Sequence, residues 1–285
     1  MQAGTLGKHL IPKVFAVGMG ESMKIVSEPL SAPRTLALGV IGVLGSMIVA
    51  ELVLRSGLIS ASGLPIPSRV LAGALDLLPD ATFWAGVGFT LREWALGMLI
   101  ATLAGVLVGG LMGAFRPVFL AFEWPIEAFR VLPSVAIAPI LMLLLGGGML
   151  PLSLTVGLSC VWPILLNTFY GVRGVDPTTV QTARSFGYSE LQILRSIKIP
   201  AALPFAYTGI RISAAIGLIV AVSVELLVGD GSGIGGYILT NSANATNLDV
   251  VYAATVIAGV IGIVINLLLA RADDLIFAWK KGLAQ

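Results

Sequence analysis

Charge is what this sequence has least of. Asp, Glu, Lys and Arg make up 11% of its 285 residues, against about 25% in an ordinary soluble domain, which is too little polar surface to keep a folded globule in water. A soluble enzyme is excluded. Cys160 and His9 are the only residues of their kinds, so there is no intrachain disulfide and no Cys/His metal cluster. An intramembrane enzyme would need a nucleophile with its base, or metal ligands, and none assembles. No Gly-x-x-x-x-Gly-Lys-Ser/Thr run occurs, so the chain has no phosphate loop with which to hold ATP. The 17 basic residues nearly balance the 15 acidic ones, for a net charge of +2; that dispersed balance argues against a nucleic-acid surface. Cys160, in an apolar run, reads as a small buried hydrophobe.

What is present is apolar. Hydrophobic residues are 57% of the chain and the mean hydropathy is +0.98. A bilayer core of about 30 Å takes about 20 apolar residues as helix, because lipid offers the backbone no hydrogen-bond partners. The expected fold is therefore an all-α integral membrane protein with six transmembrane helices, at about 35–54, 95–115, 117–146, 152–170, 204–228 and 250–270. Residues 34–274 form the membrane domain, between an N-terminal cytoplasmic segment (1–33) and a cytoplasmic tail (275–285). The first run reads as an uncleaved helix, since a signal peptide would be shorter and start nearer Met1. The uncharged stretch from Val131 to Val172 is too long for one crossing and must fold back, with Gly146, Gly147, Gly148 and Pro151 at the reversal. Pro133 and Pro139 predict a kinked or unwound third span. Gly105, Gly109 and Gly113 lie on one helix face and predict close approach of another helix. With both termini inside, basic residues such as Lys8, Lys24, Arg116, Arg184, Lys198 and Lys280 collect on the cytoplasmic side, as the positive-inside rule requires.

The connection between spans 4 and 5, residues 175–200, is longer than a compact bundle needs. Asp176 followed by Pro177 starts a short helix through Phe186, and Gly187 can end it. Ser189 with Gln192 has capping-box spacing for a second helix, which Pro200 is expected to stop. The residues alone allow an interfacial hairpin on lipid headgroups or a knob that docks on a partner.

A motif separates these readings. Gln181-Thr182-Ala183-Arg184-Ser185-Phe186-Gly187, nine residues, then Ile197-Lys198-Ile199-Pro200 resembles the coupling-loop signature of binding-protein-dependent ABC importer permeases: Glu-Ala-Ala, three residues, Gly, nine residues, Ile, any residue, Leu, Pro. Gln181, Thr182 and Ile199 depart from it, and losing the Glu removes one polar contact. Leu64-Pro65-Ile66-Pro67-Ser68, Arg130 to Pro139, Trp162 to Thr168 and Ile199 to Pro204 resemble the nitrate, sulfonate, taurine and bicarbonate branch. The resemblance implies a non-catalytic permease in the bacterial inner membrane, paired with a second copy, most simply as a homodimer. It implies two cytoplasmic ATPase subunits, which hold ATP and Mg and meet residues 181–187 and Tyr188, and an extracytoplasmic binding protein that delivers a small anion. No cofactor is implied for the chain itself.

Charged residues inside spans cost about 2.5 to 3.5 kcal/mol each on insertion scales, so Arg211 and Glu225 should face protein or water. They share a helix face, roughly 21 Å apart, with Leu218 and Val222 between them. Either this stripe lines a translocation pathway or each charge pairs with a neighbouring helix. Arg130, in the proline-marked third span, either suits an anionic substrate or snorkels to the cytoplasmic interface; Asn167 in the fourth either bonds substrate or water or packs against a neighbouring helix; Pro133 and Ser134 are placed with them on the pathway. The glycine-rich segment from Gly229 to Gly236 reads as a flexible outer loop, either a gate and docking surface or a solvated turn. A proton-coupled carrier with Glu225 as the relay is the competing function.

Overall fold

A computed structural model describes residues 32–57, 64–228, 231–243 and 248–278. The expected cytoplasmic segment 1–33 and the tail 275–285 lie largely outside these. The described residues are all helix, turn or irregular. They fall into two compact units, residues 1–61 and 62–285.

The first unit contributes α1 (Ala32–Arg55). Its apolar side chains, Leu38, Ile41, Leu44 and Leu52 among them, are exposed, as suits a helix solvated by acyl chains or by another subunit.

The second unit runs α2 (Pro67–Leu77), α3 (Ala81–Ala114), α4 (Arg116–Phe129), α5 (Ser134–Leu145) and α6 (Met149–Arg173), then α7 (Pro177–Ser185), α8 (Glu190–Ile193), a π turn over Leu194–Lys198, α9 (Ile199–Val228), α10 (Gly233–Ala243) and α11 (Leu248–Ile276). Of these, α3, α6, α11 and the continuous column from Glu190 to Val228 are long and apolar enough to cross a membrane. The third span, expected to be kinked or unwound at its prolines, consists of two helices, α4 and α5, bent by 95°. The break lies at Arg130 to Pro133 because Pro133 has no N–H and pushes Leu132 out of the helical region. Pro139 sits inside α5 without breaking it.

Three expectations are corrected. The helix of the second span starts at Ala81, well before Ala95, and carries Arg92 and Glu93 within it; Asp80, whose Oδ1 accepts from the amides of Thr82 and Phe83, is its N-cap. Pro200 does not stop a helix. The Ile199 amide reaches back to the Leu194 carbonyl, and this wide turn absorbs the amide that proline lacks, so the helix continues into α9. The third correction concerns the glycine-rich loop and is described with the site.

The core is a three-helix seam of α3, α6 and α9, built around Met98, Ala101, Val156, Cys160, Ile164 and Ala221. A Cβ at Gly97, Gly105, Gly109 or Gly113 would strike α6 at Ser153 and Val156, Ile164, Leu165 and Val172 in turn. Both series ascend, so α3 and α6 run parallel. On the other side of α6, Gly171 meets Ala202 and Phe205, Gly209 meets Pro163, and Gly217 meets Cys160, so α9 runs antiparallel. Lipid supplies no hydrophobic drive for helix association, and small residues that let backbones touch take over that role. Hydrogen bonds pin the seam. The Ser213 hydroxyl donates to the Cys160 carbonyl at 2.7 Å and the Cys160 thiol to the Ser213 carbonyl at 3.3 Å, while the Trp94 indole donates to the Ala214 carbonyl at 2.9 Å.

Candidate functional site

Residues 176–198 build a compact elbow from local hydrogen bonds. Asp176 caps α7 by accepting from the Thr178 amide at 3.0 Å, with Pro177 in the first turn where its missing N–H costs nothing. At the other end of α7 the Gly187 amide donates to the Arg184 carbonyl at 2.9 Å and the Tyr188 amide to the Ala183 carbonyl at 3.1 Å, the paired bonds of a Schellman cap. That cap needs a left-handed residue, and Gly187 has φ +82°. Ser189 then forms a reciprocal capping box with Gln192, and an exposed Arg184–Glu190 ion pair at 2.8 Å spans the corner.

All eight residues singled out in the sequence, Gln181 to Tyr188, fall in this elbow, and only Ala183 is buried. Phe186 is 79% exposed. A cleft of about 440 Å³ opens beside them, lined by Thr178, Thr182, Ala183, Phe186, Tyr188 and Ile197. A large aromatic held out from a rigid corner above an open cleft is the geometry of a protrusion that fits another surface.

The residues proposed for a pathway are not gathered into one set. Arg130 is exposed and pairs with Glu127 at 2.7 Å; Pro133 and Ser134 head α5. Asn167 donates to the Pro163 carbonyl of its own helix at 2.8 Å. Arg211 sits 3.7 Å from Asp273 of α11, and nearby the Tyr207 hydroxyl donates to the Leu269 carbonyl. Leu218 is buried, close to Gly262, and Val222 packs in the apolar cluster of Phe83, Val87 and Ile234.

Glu225 is fully buried. Its Oε1 accepts from the Thr90 hydroxyl at 2.7 Å and its Oε2 from the Gly235 amide at 2.8 Å, while Thr90 Oγ1 accepts from the Ile234 amide at 2.9 Å. Two of the first amides of α10 are thereby capped by side chains from α9 and α3, with a carboxylate at the positive end of the helix. Three of the glycines expected to form a flexible loop are close-packed: a Cβ on Gly233 would overlap the Glu225 carboxylate, one on Gly235 would meet the Val222 carbonyl, and one on Gly236 would overlap Gly231, whereas Gly231 itself has open space and Gly229 lies outside the described residues. A second tie joins the same elements. The Tyr237 hydroxyl donates to Asp80 Oδ2 at 2.7 Å and, with the amides of Phe83 and Thr82, holds the Asp80 carboxyl below its usual range. Sequence reasoning missed Thr90, Asp80 and Tyr237, and only the Pro79-Asp80 cap carried a local signal.

Residues 97–281 match the family described as the inner membrane component of binding-protein-dependent transport systems. The chain belongs to that family. It is a multi-pass membrane permease subunit and not itself an enzyme. Among its relatives are the taurine transport system permease protein TauC of Escherichia coli, 29% identical over 256 residues (88% of this chain, 92% of the relative), and the nitrate import permease protein NrtB of Leptolyngbya laminosa, 28% identical over 212 residues (71% and 75%). The fold is similar to a chain of the inward-facing MetNI methionine ABC transporter, with a TM-score of 0.56, 19% identity, and coverage of 70% of this chain and 96% of that one.

Proposed function

We propose that this permease imports a small anion of the taurine or nitrate type, handed over by an extracytoplasmic binding protein, and that the elbow at 176–198 receives the stroke of a separate ATPase. Two copies of the chain face two ATPase subunits, which hold the ATP and Mg. Both termini lie in the cytoplasm, at the elbow's side of the bacterial inner membrane. The observation that carries this reading is the elbow itself: three caps and an ion pair make it rigid, its aromatic points outward, and its sequence keeps the spacing of the importer coupling loop. A rigid body transmits displacement that a floppy loop would absorb. It joins α9 without interruption, so motion of the elbow is motion of a seam helix.

The competing proton-coupled carrier would need Glu225 to bind and release its ion. Its two oxygens are instead engaged in capping α10, which supports the importer.

Uptake of taurine or nitrate by proteoliposomes tests both. Transport should require a co-reconstituted ATPase and ATP, and Ala183→Leu should cut uptake per ATP hydrolysed by about tenfold, since the new side chain has to fit where Ala183 is buried. Uptake by the chain alone under a proton gradient, or unchanged uptake per ATP in the variant, would sink the proposal.

A further inference from the structure

A second cleft, of about 450 Å³, opens between the end of α3, α4 and the last turn of α6. Its buried lining is apolar, with Met112, Ile126 and Phe169 beside the partly buried Leu166, and its more exposed lining includes Arg173 and Glu123. The Arg173 guanidinium lies over the Phe119 ring at 4.8 Å and the Phe169 ring at 5.6 Å, and those two rings stack at 5.2 Å. Among the described residues no carboxylate lies within salt-bridge distance of Arg173. Glu127, the other acid at the cleft, is committed to Arg130; Glu123 is half-buried and has no ion pair among the described residues.

The place of the cleft in the fold points to the phase that fills it. It sits where α6 ends and α7 begins, at the rim of the membrane-spanning seam. α4 exposes Trp124, an amphipathic aromatic of the kind that favours the headgroup level of a bilayer, beside the apolar Phe122 and Phe129. An arginine that lies over aromatic rings and has no carboxylate partner among the described residues still offers its N–H donors to a phosphate. An acid in the same lining suits an ammonium group, and the apolar lining suits an acyl chain. Choline would be held chiefly by aromatic faces, but here Arg173 already covers them, and a quaternary ammonium has no N–H to donate to Glu123.

We infer that this cleft is a binding site for a phospholipid with a primary-amine headgroup, phosphatidylethanolamine, its phosphate on Arg173, its ammonium on Glu123 and one chain along Met112 and Leu166.

Native mass spectrometry of the purified transporter, incubated with equal amounts of dioleoyl phosphatidylethanolamine, phosphatidylcholine and phosphatidylglycerol, reads the site directly. Phosphatidylethanolamine should be retained about tenfold over phosphatidylcholine, and Arg173→Gln or Glu123→Gln should each lower its retention by about tenfold, the worth of one charge-assisted hydrogen bond. Thermal unfolding of each variant reports whether it is folded. Should Arg173→Gln not fold, Arg173→Lys keeps the charge but not the planar fork, and it should still lower retention. Wild-type retention in a folded Glu123→Gln variant, equal retention of phosphatidylglycerol, or displacement of the lipid by inorganic phosphate alone would each overturn the assignment.

Discussion

The elbow and the Glu225 clamp both turn on a glycine with positive φ, yet they are built in opposite ways. Around Gly187 there is open space, with nothing within 4 Å of where a Cβ would sit, and the stabilising hydrogen bonds join residues at most six apart. Around Gly233 the space is filled by the Glu225 carboxylate, and Thr90 reaches partners more than a hundred residues away. A part held together by itself can move as a unit. A part held by two other helices is a fixture, and it moves only when they do.

The sharpest way to break this contrast is to place the same methyl at both glycines. Gly233→Ala forces the carboxylate off its two donors in a buried setting and should destabilise the detergent-solubilised protein by about 3 kcal/mol or more, seen as a large drop in thermal unfolding temperature. Gly187→Ala meets only the left-handed backbone penalty and should cost about 1 to 2 kcal/mol. Equal losses in the two variants would erase the distinction.

A smaller effect sharpens the clamp end. The Asp80 carboxyl is held below its ordinary value of 3.8 chiefly by the Tyr237 hydroxyl. A lowered folded-state pKa adds stability that is complete above the ordinary value and is lost as pH falls through the folded one. Wild-type protein should therefore lose a small part of its thermal stability below about pH 3.8, whereas Asp80→Asn should lack that component. Parallel curves for the two proteins would show that this tie contributes nothing.

How far each region could be read from its residues follows the same divide. The elbow was legible because Asp176-Pro177, Gly187 and Ser189 with Gln192 are local cap signals, and the close approach at Gly105, Gly109 and Gly113 followed from their spacing. The clamp was not, because nothing near Glu225 in the chain announces Thr90, and glycines that exist to make room look the same in a sequence as glycines that give freedom. Pro200 misled for a related reason: proline ends a helix only where the missing amide has no other accommodation, and the wide turn at Leu194–Lys198 provides one.

That wide turn also sets an azimuth. Each residue of an α-helix carries the chain about 100° around its axis, so the single extra residue taken up there decides which compass direction Phe186 faces when seen down the length of α9. Losing one residue from the turn would leave every cap of the elbow intact and swing the whole protrusion to a different bearing.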